Sequence, residues 1–179
     1  MRKIAGASAV VGCVGALLLA VTVPALAGPS PAAPGAGAVA SARPLADPAA
    51  VERKVIDLTN QQRKRNGCKA LRANAALGRA ARKHSTDMAA KNYFSHTSRN
   101  GRTFTQRIRA EGYRYQRAAE NIAAGYGTPE KVVAGWMKSS GHRANILNCA
   151  LTEVGVGFAE NPRGSFRVYW TQNFGTPAR

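Results

Sequence analysis

The chain has 179 residues, enough for one domain with a substantial core and some tail. Its 45% hydrophobic and 20% charged residues exclude a wholly disordered polymer, and 26 Lys and Arg against 9 Asp and Glu give a net charge of +17 that attracts anionic surfaces of any kind. The basic residues are spread along the chain without zinc-finger spacing, an RRM-type aromatic run or a helix-turn-helix, so a solvated basic face is expected and no specific nucleic acid.

The first element reads as a leader. "MRK", the apolar run Ile4 to Val23 and "PALAGPS" have the charged, apolar and small-residue regions of a Sec-type signal peptide over residues 1–27, cleaved after Ala27. The rivals are an uncleaved anchor and a lipoprotein cut before Cys13, but the apolar run continues past Cys13 to Pro24. Secretion is therefore expected, with 24 basic residues against 9 acidic, or +15, on the mature chain. Loss of Cys13 leaves Cys68 and Cys149, whose even number in an oxidising compartment predicts one disulfide. Closing that loop is worth roughly 4 kcal/mol in the chain-entropy model. Residues 28–48, rich in Ala, Pro and Gly, read as a flexible linker ahead of a domain over 49–179.

Asp47 as N-cap, Pro48 at the first position, the stripe Val51, Val55, Leu58 and the stop at Gly67 predict the first helix. A second is expected from about Asn74 to Asn92, with Leu77, Ala81, His84 and Met88 on one face. "TFTQRIRAEGY" predicts a short helix capped by Thr103 and ended by Gly112. Thr128 and Pro129 open a fourth, which turns Val132, Val133 and Trp136 inward. After Cys149 the period becomes two. "EVGVGFAE" alternates Val154, Val156 and Phe158, "FRVYWTQNFG" alternates Phe166, Val168, Trp170, Gln172 and Phe174, and the intervening "NPRGS" predicts an antiparallel hairpin. Helices followed by a terminal hairpin make an α+β domain.

Three histidines carry the candidate chemistry. His84, on an apolar helix face, reads as a packed, hydrogen-bonded residue. His96 lies in the loop "YFSHTSRNGRT", where Tyr93 and Phe94 can anchor the backbone and leave the imidazole free. His142 lies in "WMKSSGHRANILN", whose serines suggest a hydrolase. Residues two apart do not face each other on a helix, Gly141 is expected to break the turn, and no GxSxG elbow is present, so that reading is weak. Glu120, in "AENIAAGY", is a carboxylate among small and apolar residues, expected to cap backbone amides or face a partner.

In their order, "FSHTSRNGRT", "AENIAAGY", "WMKSSGHRANILN", "EVGVGFA" and "YWTQNFG" resemble the CAP superfamily of cysteine-rich secretory, antigen 5 and plant pathogenesis-related proteins, in its secreted bacterial form. The resemblance runs from about Val51 to Gly175 and implies a three-layer α-β-α sandwich around a small antiparallel sheet, with a third strand near Ile122 to Tyr126. It also implies a cavity lined by two histidines and two glutamates in which some members bind Zn2+ or another divalent cation. Matched by motif, the metal-site residues are His96, Glu120 and His142, while Ser139 stands where the second glutamate is usual. The expected function is a secreted binding module with a cation-capable cavity. The alternative is a metal-dependent, protease-like hydrolase with Glu120 as general base. An unidentified extracellular ligand, nonspecific attraction to anionic envelope or lipid surfaces, and a monomeric state complete the expectation.

Overall fold

The computed structural model describes residues 47–179; the expected signal sequence and nearly all of the linker lie outside them. Among the described residues no helix is long and apolar enough to cross a membrane. Helix α1 spans Pro48–Arg65, begun by the Asp47 carboxylate accepting from Ala49 N at 3.0 Å. Strand β1, Arg72–Ala73, leads to α2, Ala75–Ala90, whose N-cap Asn74 accepts from the amides of Ala76 and Leu77. Helix α3, Phe104–Ala110, has a reciprocal capping box between Thr103 and Gln106. Strand β2, Tyr115–Ala124, is followed by α4, Pro129–Lys138, α5, Ser140–Ile146, and the hairpin strands β3, Glu153–Glu160, and β4, Val168–Pro177.

The strands form one sheet in the order β1-β3-β4-β2. It is mixed, not wholly antiparallel, because β1 runs parallel to β3 through Arg72 and Ala73. Two residues are too few to leave a periodic signal, which is why the sequence is silent there. The strand expected near Ile122 to Tyr126 begins earlier, at Tyr115, and stops before Gly125, whose φ of +81° turns the chain.

Both faces of the sheet are covered. Trp170 and Phe174 of β4 join Val154 and Val156 of β3 in a core with Val55 of α1, Val133 and Trp136 of α4 and Ile146 of α5. On the other face, α2 seats its small residues Gly78, Ala81 and Ser85 against β3 and β4. That seat explains the glycines of "EVGVGFAE": a β-carbon on Gly155 would fall on the backbone of Gly78, and one on Gly157 on the backbone of Ala81 and Arg82. Alternation in β3 thus separates two buried faces, not a buried and a wet one.

The predicted disulfide forms between Cys68 and Cys149, with Cα atoms 5.0 Å apart. Beside it lies a cation from the basic last turn of α1. Arg63 is 1% exposed, and its guanidinium donates to the carbonyls of Lys69, Ile146, Asn148 and Leu151, joining the end of α1 to the segment around Cys149. Burial pushes its pKa down, but four carbonyl acceptors replace the lost water.

Candidate functional site: the His96–Glu120–Arg107 cluster and the cavity beside His142

Glu120 sits in the middle of β2 with its side chain wholly excluded from solvent. One oxygen, Oε1, accepts from His96 Nδ1 at 2.8 Å; the other, Oε2, accepts from Arg107 Nη2 at 2.7 Å. With its amide nitrogen turned to the carboxylate, Asn173 of β4 gives Oε2 a further donor at 3.1 Å. A buried carboxylate needs such compensation, and here neither oxygen is left over.

Arg107, on α3, went unnoticed in the sequence as one basic residue among many. It is 8% exposed, and its Nη1 donates to His96 O, Ser98 Oγ and Arg102 O, so the same guanidinium that pairs Glu120 also holds the backbone of the His96 loop. The loop is held from α2 as well: His84, 1% exposed, hydrogen-bonds through Nε2 to Ser95 O at 2.9 Å. That contact makes Nε2 the protonated nitrogen, and it agrees with the reading of His84 as a packed, bonded residue. Burial, then the charge of Arg107, pushes its pKa below the usual histidine range.

The anchoring of the loop differs from expectation in one respect. Tyr93 does anchor, through a short hydrogen bond from its hydroxyl to the Asp87 carboxylate, whereas Phe94 is 45% exposed. The His96 imidazole is itself about half exposed. Its Nδ1 is committed to Glu120, which leaves Nε2 as the ring atom free to bind something else.

His142 arrives from the opposite side on α5. The helical break falls at Ser139, with φ −95° and ψ 125°, and Gly141 lies inside α5 instead of breaking it, since glycine is tolerated in a first helical turn. A buried amide network sets α5 against β2: Asn121 donates to His142 O at 3.2 Å and to Gln172 Oε1, Asn145 donates to Asn121 Oδ1 at 2.9 Å, and Gln172 donates to Thr59 Oγ1. Burial, and then the nearby His96, pushes the His142 pKa below the ordinary value, so its ring is neutral at pH 7. The imidazole lines a cavity of about 260 Å³ shared with Ser139, Trp136, Tyr126, Phe94 and Phe166.

No hydrogen bond joins Ser139 or Ser140 to His142 among the described residues, so the structure offers no activated serine. Nor, among the described residues, do three or more His, Cys, Asp or Glu side chains converge as a ready metal cluster. The structure joins His96 to Glu120 and sets His142 in a cavity whose lining includes neither of them; it presents one imidazole oriented by a buried carboxylate and a second, partly buried one.

Comparison with known proteins accords with this architecture. The chain is 46% identical over 125 residues to the uncharacterized protein YkwD of Bacillus subtilis (strain 168), a match that takes in 70% of this chain and 47% of that one. Among solved structures it resembles an extracellular protein containing an SCP domain from Bacillus anthracis, with a TM-score of 0.64, 35% identity and coverage of 71% of this chain and 40% of the other. An outer surface protein of Borrelia burgdorferi, at 19% identity, shares the fold with a TM-score of 0.63 over 70% of this chain and 92% of its own. The chain thus spans less than half the length of the two Bacillus relatives. Residues 56–174 match the model of the cysteine-rich secretory protein family, and on that match, with the sandwich and the five motifs in order, the chain belongs to the CAP family.

Proposed function

We propose that the protein is an extracellular binding domain whose cavity holds a divalent cation through His96 Nε2 and His142, with no catalytic turnover. The observation that carries this reading is the state of Glu120. A general base needs a lone pair directed at water, and both carboxylate oxygens of Glu120 are taken up by His96 and Arg107, with the side chain wholly excluded from solvent. Its chemistry is that of an orienting group, fixing the tautomer and direction of the His96 ring. The donor set suits a borderline-soft ion: two imidazole nitrogens match zinc, and the remaining positions fall to water or to a ligand. When bound, such an ion supplies a Lewis-acidic centre that polarises an oxygen ligand. Two protein donors make for modest affinity. The extracellular assignment is supported by the leader-like residues 1–27 and by the relative from Bacillus anthracis, itself described as extracellular.

Zinc titration of the full chain by calorimetry, at pH 7.5 and 5.5, tests the reading beside a His96→Ala/His142→Ala variant whose fold is checked by circular dichroism. Saturable binding that weakens in acid and disappears in the variant is expected, because protonation removes the lone pairs the ion needs. Equal heats from parent and variant would remove the cation from the account. A peptide hydrolysis rate that depends on Glu120 would instead restore the hydrolase.

A further inference from the structure

The large hydrophobic side chains that stand exposed among the described residues are Phe94 at 45%, Tyr126 at 39% and Phe166 at 44%, and all three line the cavity beside His142. They come from three separate parts of the chain. Phe94 follows α2, Tyr126 follows β2, and Phe166 belongs to the turn between β3 and β4. Exposed apolar groups gathered in one place mark a binding surface more often than scattered ones do.

The patch is held open by its surroundings. Asn92 and Arg167, both non-glycine residues in the left-handed region with φ 49° and 62°, stand two residues before Phe94 and one after Phe166. Asn92 fastens the two segments together: its side chain accepts from Ser165 N at 2.9 Å and from the Tyr169 hydroxyl, and donates to Ser165 Oγ. Asn161 adds a bond to Ala89 O at 2.8 Å. The rings of Phe94 and Phe166 meet at 5.8 Å. Left-handed backbone in bulky residues costs energy and persists where neighbouring contacts enforce it. The exposure of Phe166 also departs from the sequence pattern, which assigned it an inward position. The positive φ of Arg167 ends the strand alternation first. On the third side, Gly135 lets the Tyr126 ring lie flat against α4, since a β-carbon there would stand 2.7 Å from it.

The segments that carry these lining groups supply the second half of the chemistry. Arg99, Lys138, Arg143, Arg163 and Arg167 are exposed, each lies within a few residues of a group lining the cavity, and none has a carboxylate partner among the described residues. On the α2 side of the sheet, by contrast, Arg79 and Lys83 share Glu111, and Arg82 pairs with Glu52. At about 260 Å³ the cavity is smaller than a typical pocket for a drug-sized ligand and is of a size to take one or two side chains.

We infer that this cleft docks an acidic segment of a partner protein, seating an aromatic or aliphatic side chain between Phe94, Tyr126 and Phe166 while flanking Asp and Glu residues meet these unpaired cations. The inference shares the binding reading above but not the cation. Its test uses the full chain with a chelator present throughout, so failure here and failure of zinc binding remain separate results.

The probe is a fluorescently labelled peptide of Asp and Glu around a central Phe-Leu pair, followed by anisotropy. Saturable binding that weakens with salt is expected, falling about tenfold when the Phe-Leu pair becomes Ala-Ala. A similar loss is expected in a Phe94→Ser/Phe166→Ser variant and in an Arg163→Glu/Arg167→Glu variant, each matched to the parent by its melting curve. Gly135→Ala, which displaces the Tyr126 ring, is the second route if the phenylalanine variant does not fold. Equal affinity for the Ala-Ala peptide, or binding untouched by the variants, would overturn the inference in favour of plain ion exchange. No peptide binding, with retention on phosphatidylglycerol vesicles that depends on Phe94 and Phe166, would overturn it in favour of a membrane surface.

Discussion

The guanidinium of Arg107 has two duties, one to a buried charge and one to a loop. Replacing it with methionine would keep much of the packing and strand the Glu120 carboxylate without its cation. Loss of one partner of a buried pair typically costs about 3–5 kcal/mol. We therefore expect Arg107→Met to lose stability in that range by urea denaturation, and Arg107→Lys to recover only part, since an ammonium cannot reproduce the fork that reaches Glu120, His96 O and Ser98 together. A loss below about 1 kcal/mol would mean that Glu120 is content without the pair. At this scale His96 and Glu120, which the motifs singled out, do meet, while His142 lies in the neighbouring cavity. Arg107 was not legible in the sequence, because a buried arginine looks like any surface arginine until the fold brings a carboxylate to it. Arg63 was hidden in a similar way, three of its four carbonyl acceptors lying more than eighty positions away.

Among the elements, the packing of α2 on the hairpin is the tightest contact, and it is made by what is missing. Gly157→Ala would force a methyl group against the backbone of Ala81 and Arg82, which cannot swing aside as a side chain can. Overpacking of this kind costs about 1–3 kcal/mol. Gly141 offers the opposite case: it lies in the first turn of α5 with open space around its Cα. Gly141→Ala should stabilise the protein by about 0.4–1 kcal/mol by restricting the unfolded chain. Thermal melts of the two variants, expected to move in opposite directions, check both. Four of the five helices were readable because they carry their own caps and stripes, as at Asp47, Thr103 and Thr128, whereas α5, whose N-cap Ser139 makes no side-chain bond, was not. The hairpin was readable from its alternation. The role of its glycines was not, since period two separates two faces without saying that the glycine face carries a helix.

Across the molecule, histidine titration sets how the fold responds to acid. His84 and His142 both have folded-state pKa values pushed down, chiefly by burial. Above about pH 6.5 each ring is neutral folded or unfolded and contributes no pH dependence. As pH falls through that value the unfolded chain takes up protons that the folded one refuses, so stability drops, by at most about 1.4 kcal/mol per pH unit for each ring. Glu52, raised by burial, acts in the opposite direction at lower pH. Urea midpoints measured between pH 7.5 and 5 should therefore fall, and His84→Gln, which keeps a donor for Ser95 O but does not titrate, should flatten the decline. An unchanged slope in that variant would exclude His84 as a source. The α+β layering was legible at this scale, whereas the parallel β1 was not, since a partner about eighty positions away leaves no local mark.

The outer margins of the sheet have a consequence for how the folded domain resists self-association. An open strand edge is a template on which further strands can add. Here one margin is the two-residue β1, bearing an exposed arginine, Arg72. The other is β2, where the carbonyls of Glu120 and Ile122 are already taken by the side chains of Asn145 and Trp136. The residues that hold α5 and α4 in place also deny a foothold to amyloid-like pairing, so the native domain should withstand long residence at high concentration without converting to aggregated sheet.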